Sequence, residues 1–446
     1  MSTNDNNTKR SYYSILLRRC LMVALSASAM GSSSAGANPP ADLVIGMSTS
    51  AGTTCAVMDS GDVKCWGLND AGQLGQGDDE NVGDDELPGD VNFINVGGSV
   101  EDVQTNGSQT FALFDNGDVV AWGSNDAGQL GLGHTNTIGD DELPSQVNNT
   151  IYFGGADAVE LAVGDGFACA LLDNGRVSCW GTNDFGQLGY GHTDDIGDDE
   201  YPAVEGTLSL GGTVSKVVAG AHHACALLDN GDVRCWGKND FGQLGYAHTN
   251  DIGDDELPSS ASRVPLGSAT VTDLTAGANH TCALFSFGQI RCWGANDAGQ
   301  LGYGHTNDIG DDECPYSAGF VDVGGTVKEI AAGAEHTCAA LDGGTLRCWG
   351  QGTNGQLGYG DDYDIGDDEL PSDEGDIDLD GHTVTSVFIG PTASSTCALL
   401  DHDEVRCWGS NDDGRLGYGD LLMRGTSYPT RPGGIDDVIV VRSGDD

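Results

Sequence analysis

Val217-Val-Ala-Gly-Ala-His-His-Ala-Cys-Ala-Leu-Leu-Asp-Asn-Gly-Asp-Val-Arg-Cys-Trp-Gly-Lys-Asn-Asp-Phe-Gly-Gln-Leu-Gly-Tyr246 decides the fold, because the chain repeats this phrase seven times. Its Trp-Gly pair recurs at Trp66, Trp122, Trp180, Trp236, Trp293, Trp349 and Trp408, which are all seven tryptophans of the chain. The spacings of 56, 58, 56, 57, 56 and 59 residues are those of one structural unit copied in tandem. A period of this size marks a propeller or another repeat array, so one array uses nearly all of the 446 residues in place of two or three unrelated domains.

Within a repeat, Cys169-Ala-Leu-Leu, then Asp173-Asn-Gly175, then Arg-Val-Ser-Cys-Trp180 reads as a β-hairpin. A three-residue loop ending in Gly suits a type I turn followed by a left-handed residue. Six loops end in Gly (Gly61, Gly117, Gly175, Gly231, Gly288, Gly344), and the seventh has Asp403, which tolerates that backbone region. Counting out from the turn puts Leu171 opposite Val177 and Cys169 opposite Cys179. A short apolar run precedes each hairpin (Val159 to Val163, Val214 to Val218, Val327 to Ala331), and a fourth follows (Val91 to Val96, Thr150 to Phe153, Phe320 to Val323). The expected fold is all-β: a seven-bladed propeller of four-stranded blades over residues 38–446. Ile435 to Val441 is expected to complete the first blade, whose opening strand near Leu43 to Met47 looks incomplete.

Twelve of the 14 cysteines form six pairs ten residues apart: Cys55 with Cys65, Cys169 with Cys179, Cys225 with Cys235, Cys282 with Cys292, Cys338 with Cys348, and Cys397 with Cys407. Repeat 2 has Phe111 and Ala121 instead, so both partners are missing together, as covalent pairing requires. The spacing does not suit zinc. Disulfides persist in oxidising compartments. Residues 1–37 agree: Lys9, Arg10, Arg18 and Arg19 precede the apolar run Leu21 to Met30 and Ala35-Gly-Ala37, the pattern of a secretory signal peptide. An uncleaved amino-terminal anchor is the alternative. The mature chain is expected outside the cytoplasm (secreted, periplasmic or at the cell surface), as a monomer without membrane insertion.

The formal net charge is −51, and removing the leader, with its four basic residues and Asp5, leaves −54. Phosphate binding needs clustered Lys and Arg, so nucleic acid is excluded as partner.

Gly277-Ala-Asn-His-Thr-Cys-Ala-Leu, followed by Arg291-Cys-Trp-Gly-Ala-Asn-Asp-Ala-Gly-Gln-Leu-Gly-Tyr-Gly304, closely resembles the regulator of chromosome condensation repeat, in its secreted bacterial form. Gly-Gln-Leu-Gly begins at Gly72, Gly128, Gly186, Gly242, Gly299 and Gly355 and becomes Gly-Arg-Leu-Gly at Gly414. The resemblance implies a seven-bladed propeller. It spans a nuclear exchange factor for a small GTPase, ubiquitin-ligase-linked modules and secreted propellers, one class of which inhibits β-lactamases. Fold therefore leaves activity open. Guanine-nucleotide exchange is not expected of a chain with a leader, disulfides, an acidic surface and no inserted hairpin.

The departure from the family is Gly-Asp-Asp-Glu, beginning at Gly83, Gly139, Gly197, Gly253, Gly310 and Gly366. Two readings fit. Asp140, Asp141, Glu142, Asp198, Asp199, Glu200, Asp254, Asp255, Glu256, Asp311, Asp312 and Glu313 are candidate calcium ligands, since a hard cation takes six to eight oxygens. Alternatively, the loops are solvated and their Asp side chains cap turns; this reading is preferred. His134, His192, His248 and His305 recur in the same loops and read as turn histidines, while His223, His280 and His336 read as structural. No nucleophile motif, zincin or Walker loop is present, and no cofactor other than calcium is implied. The expected function is a non-catalytic binding or scaffold propeller for a protein or surface glycan. A polysaccharide hydrolase or lyase, or an inhibitor of a secreted enzyme, are the alternatives. Repeat 7 lacks the acidic loop, so Arg415, Met423 and Arg424 are its candidate partner contacts.

Overall fold

The computed structural model describes residues 43–427 with Pro432, Asp437 and Val438. The expected signal peptide lies outside them, as does most of Ile435 to Val441. Seven sheets follow one another along the chain, each of three antiparallel strands in chain order. In repeat 4 these are Val214–Ala219, His223–Leu228 and Val233–Gly237. The hairpin register is the one counted from the turn: Cys169 opposite Cys179, Leu171 opposite Val177. The turn glycines take positive φ, from 74° to 86°, and Asp403 takes 64°.

The blades have three strands, not four. The fourth segment bonds to the third strand through one of its amides (Ile94 to Val63, Ile151 to Val119, Leu208 to Val177, Val264 to Val233, Val321 to Ile290 and Ile377 to Leu346), and repeat 2 adds the Ala121 amide donating to the Asn149 carbonyl. A proline-led helical turn such as Pro88–Asp90 or Pro202–Glu205 delivers each segment. A positive-φ glycine, such as Gly97, Gly154 or Gly211, then bends it away before a ladder forms.

Ring closure also differs from the expectation. Val438 donates to Val405, within repeat 7, and the opening strand of repeat 1 is complete at Val44–Thr49. What joins the first and last repeats is the Gly-Arg-Leu-Gly loop: the Arg415 carbonyl accepts from Thr54 Oγ1 at 2.9 Å and from Trp66 Nε1 at 3.0 Å. Five other seams use the same bond, as Trp293 Nε1 donates to the Gln243 carbonyl of the preceding repeat at 2.9 Å, while Trp180 Nε1, at the seam of repeats 2 and 3, is buried without a partner. All seven indoles are fully buried, which makes them the core of each seam. They are also why the phrase ends in glycine, since a Cβ on Gly245 would stand 2.8 Å from Trp293 Nε1.

Six disulfides join the middle and outer strands of every sheet except that of repeat 2. Cys55 bonds Cys65 in repeat 1, Cys169 bonds Cys179 in repeat 3, and Cys225 bonds Cys235 in repeat 4. Cys282 bonds Cys292 in repeat 5, Cys338 bonds Cys348 in repeat 6, and Cys397 bonds Cys407 in repeat 7. Their Cα separations are 4.0–4.1 Å, set by direct opposition in the hairpin register. All twelve sulfurs belong to fully buried residues, so the cystines are core fittings and not a ligand-binding site. In repeat 2, buried Phe111 takes the volume and meets Trp180 edge-on at 5.9 Å. Cys314 is the unpaired thiol among the described residues.

Candidate functional site

Every acidic loop leaves the end of a third strand, so the loops emerge from the same end of their sheets and form one rim. Each sits on the Gly-Gln-Leu-Gly loop of the preceding repeat: Gly77 donates to the Gly139 carbonyl at 3.2 Å and Gly191 to the Gly253 carbonyl at 2.9 Å. An asparagine fixes the turn. Asn183 Nδ2 donates to the carbonyls of His192 and Asp194, while its own amide donates to Asp195 Oδ1 at 2.9 Å. The repeated histidines are turn residues. Nδ1 of His192, His248 and His305 each accepts the amide two residues on, at 3.2 Å.

This scaffold gathers carboxylates. In the triplets at Asp84, Asp140, Asp198, Asp254 and Asp311, one oxygen from each of the two Asp and the Glu falls within 4.8 Å of the others. Desolvation, then a hydrogen bond to the preceding Asp, pushes the carboxyls of Glu86, Glu142, Glu200, Glu313 and Glu369 up to about 7. Glu256 moves in the same direction for the same reasons. The five glutamates at about 7 are thus partly protonated near neutrality, first because burial disfavours their charge and then because each shares a hydrogen bond with the neighbouring Asp. Three oxygens are about half a calcium shell, so backbone carbonyls or water must supply the rest.

The seventh repeat's candidates separate. Arg415 is buried at 6% exposure and its guanidinium pairs with Asp413 at 2.6 Å, which makes it a closure residue rather than a surface contact. Arg424 lies 4.1 Å over the Tyr418 ring and bonds Asp420 through both terminal nitrogens at 2.9 Å. Met423 is exposed, beside exposed Leu421 and Leu422.

Sequence reading missed a second carboxylate group. The first strands of neighbouring repeats face one another around the axis, and all seven carry a β-bulge at the same place. The residue after each bulge is Gly46, Asp102, Glu160, Lys216, Asp273, Glu329 or Ser386. Lys216 pairs with Asp273, and Glu160 Oε2 accepts the Val217 amide at 3.2 Å. Burial pushes Glu160 up to about 7, against the pull of Lys216, and Asp102 up to about 6. A tally of charge at the third strand residue of each repeat would have found them.

His223, His280 and His336 are fully buried, and each Nε2 lies 2.9–3.0 Å from a threonine hydroxyl of the next repeat, Thr281, Thr337 and Thr396. Burial holds them neutral, at about 3, 4 and 3. They are blade-to-blade ties, which is the particular form their expected structural role takes.

The model of the RCC1-like domain matches residues 30–390, and that of the RCC1 repeat matches 384–415. Among known proteins, the chain is 29% identical over 392 residues to the ultraviolet-B receptor UVR8 of Arabidopsis thaliana, covering 86% of this chain and 81% of the receptor. It is 34% identical over 343 residues to the probable E3 ubiquitin-protein ligase HERC4 of Homo sapiens, covering 66% of this chain but only 31% of the ligase. Yeast RCC1 (Prp20), solved bound to Kap60, superposes with a TM-score of 0.61 at 22% identity over 81% of each chain. The seven sheets, the Trp-Gly seams and these matches agree, and the chain belongs to the RCC1-like domain family.

Proposed function

We propose that the chain is an exported, non-catalytic binding propeller whose acidic rim engages a basic protein. The observation that carries this is the rim itself: compact carboxylate triplets held on one end of the array, in a chain of net charge −51. Such a surface attracts cations over about a Debye length and repels phosphate and anionic membrane. The protein partnership of a fold relative supports it, yeast RCC1 having been solved with Kap60. A neutral glycan would gain little from such charge. Export rests on the six disulfides, which reducing compartments do not preserve.

The test is capture of partners from the producing cells' exported fraction at about 50 mM and about 500 mM salt. A basic protein released by high salt, and lost when the triplets are changed to Asn and Gln, is the expected result. A partner indifferent to both changes overturns the reading. Alkylation of the purified chain tests export, and twelve freely reactive sulfurs would remove it. Calcium is tested in parallel by melting curves with the ion and with chelator; a stabilisation lost in the triplet variants assigns it to the rim.

One observation favours a second reading. Asp102 and Glu160, two carboxyls with raised proton affinity near the axis, are the kind of pair that glycoside hydrolysis uses. A polysaccharide turnover screen with Glu160→Gln decides it. Activity lost in that variant would replace the binding reading.

A further inference from the structure

The chain's own arginines show what fits the groove at the seam of repeats 2 and 3. The second residue of each third strand is Lys64, Val120, Ser178, Arg234, Arg291, Arg347 or Arg406. In repeats 1 and 4 to 7 that cation lies along the outer seam. Arg291 shows the seat most fully: Nε donates to the Gly319 carbonyl at 2.7 Å, and the guanidinium lies 4.4 Å from the Phe320 ring and 5.0 Å from the Tyr316 ring. Lys64 lies 4.8 Å over the Phe93 ring in repeat 1. Repeat 3 puts Ser178 in this position, and its hydroxyl reaches only the Gly206 carbonyl, the counterpart of Gly319, at 3.2 Å.

A second internal cation is missing in the neighbouring repeat 2. In repeat 4, Arg263 meets Asp232 at 2.7 Å. The equivalent residues of repeat 2 are Thr150 and Asp118, so that carboxylate lacks the arginine its counterpart has. Around it lies a groove of about 470 Å³, lined among others by Asp118, Thr150, Tyr152, Phe153, Asp157 and Tyr201. Tyr152 is 56% exposed and meets Tyr201 edge-on at 6.4 Å, whereas the corresponding residue of repeat 3 is Ser209. Gly155, also in the lining, has nothing within 4 Å of its Cβ direction.

We propose that this groove takes an arginine side chain of a partner protein. Aromatic faces and carboxylates are what a planar guanidinium stacks on and bonds to, and a compact ammonium uses the faces less well. With 18 basic residues against 69 acidic ones, the chain has few cations of its own to fill such a seat and attracts those of other molecules. The carboxylates that line the groove, Asp118 and Asp157, belong to none of the rim triplets, although Tyr201 follows Glu200 of one, so the inference is tested separately from the rim reading.

Calorimetric titration of the full chain with a Gly-Arg-Gly-Arg peptide tests it, with the lysine analogue and a neutral oligosaccharide as further arms. The arginine peptide should bind at least about fivefold more tightly than the lysine peptide. Asp118→Asn and Tyr152→Ala should each weaken it by about fivefold or more. Thr150→Arg, which supplies the cation from within as Arg263 does, should abolish binding at an unchanged melting temperature. If Thr150→Arg does not fold, the other two variants decide. Asp311→Asn with Asp312→Asn, in the rim triplet of repeat 5, should leave groove binding unchanged. Equal affinity for the two peptides, loss only in the rim variant, or binding of the oligosaccharide instead would overturn the proposal.

Discussion

Repeats 2 and 5 build the same sheet with different side chains, and the contrast separates what makes a blade from what locks or equips it. The hairpin is Gln109–Phe114 with Val119–Gly123 in one and His280–Phe285 with Ile290–Gly294 in the other, in the same register. Repeat 5 has the Cys282–Cys292 cystine, a buried histidine tie and an arginine in its seam. Repeat 2 has Phe111 with Ala121, Gln109 and Val120 in those places. Both keep the buried tryptophan donating to the preceding repeat, at 2.9 Å in each. Backbone pairing and the indole therefore suffice for the blade, while covalent and ionic fittings are local additions.

The contrast breaks most sharply under reduction. A loop of about ten residues makes each cystine worth roughly 2–3 kcal/mol, so reducing all six should bring the largest loss of stability. Hydrogen exchange should then rise across the stapled hairpins before it rises at Thr110 and Trp122. Uniform opening of all seven would show that repeat 2 has no independent lock.

Glycine substitution comes next. Gly245→Ala meets Trp293 and keeps a φ of 78°, so a loss of about 3 kcal/mol is expected in denaturant titration. Gly155→Ala, in the open groove, has only its φ of 92° to strain, at about 1 kcal/mol. Equal losses would contradict the packing of the seam.

The histidine ties should appear in the pH profile. Their folded pKa values lie below the unfolded 6.5, so the unfolded chain takes up protons first and stability falls as pH drops from about 6.5 toward 4. The rim glutamates and Glu160 act oppositely. Raised from 4.5 to about 7, they make the folded state bind protons first, and stability falls as pH rises through that window. His280→Gln, which borrows the residue of repeat 2, should remove about 2 kcal/mol of the loss between pH 6.5 and pH 5. An unchanged acid slope would exclude His280 as its source.

Asp403→Gly is the smallest effect. It restores to repeat 7 the residue that the other six turns use at positive φ, and a gain of about 0.5–1 kcal/mol in thermal unfolding is expected.

Much was legible because the fold is local and repeated. Seven Trp-Gly pairs fixed the blade count, and Gly at the turn fixed the hairpin register that sets Cys169 against Cys179. The joint absence at Phe111 and Ala121 marked the remaining cysteines as pairs, since side chains that face each other change together. These properties depend on neighbours within about ten residues, which sequence spacing states directly. The fourth strand was misread because an apolar run such as Val91 to Val96 buries its side chains whether or not its amides form a ladder.

Only the closed array decided the rest. Asp102, Glu160 and Lys216 come from three repeats and share an environment because the first strands crowd the axis. Arg415, apparently exposed in an irregular repeat, is buried because its loop must receive Trp66 from the far end of the chain. The groove at Tyr152 gathers Asp118, Tyr152 and Tyr201 from two neighbouring repeats. Desolvation and contact across repeats are sums over residues more than fifty positions apart, and such sums follow from the three-dimensional packing.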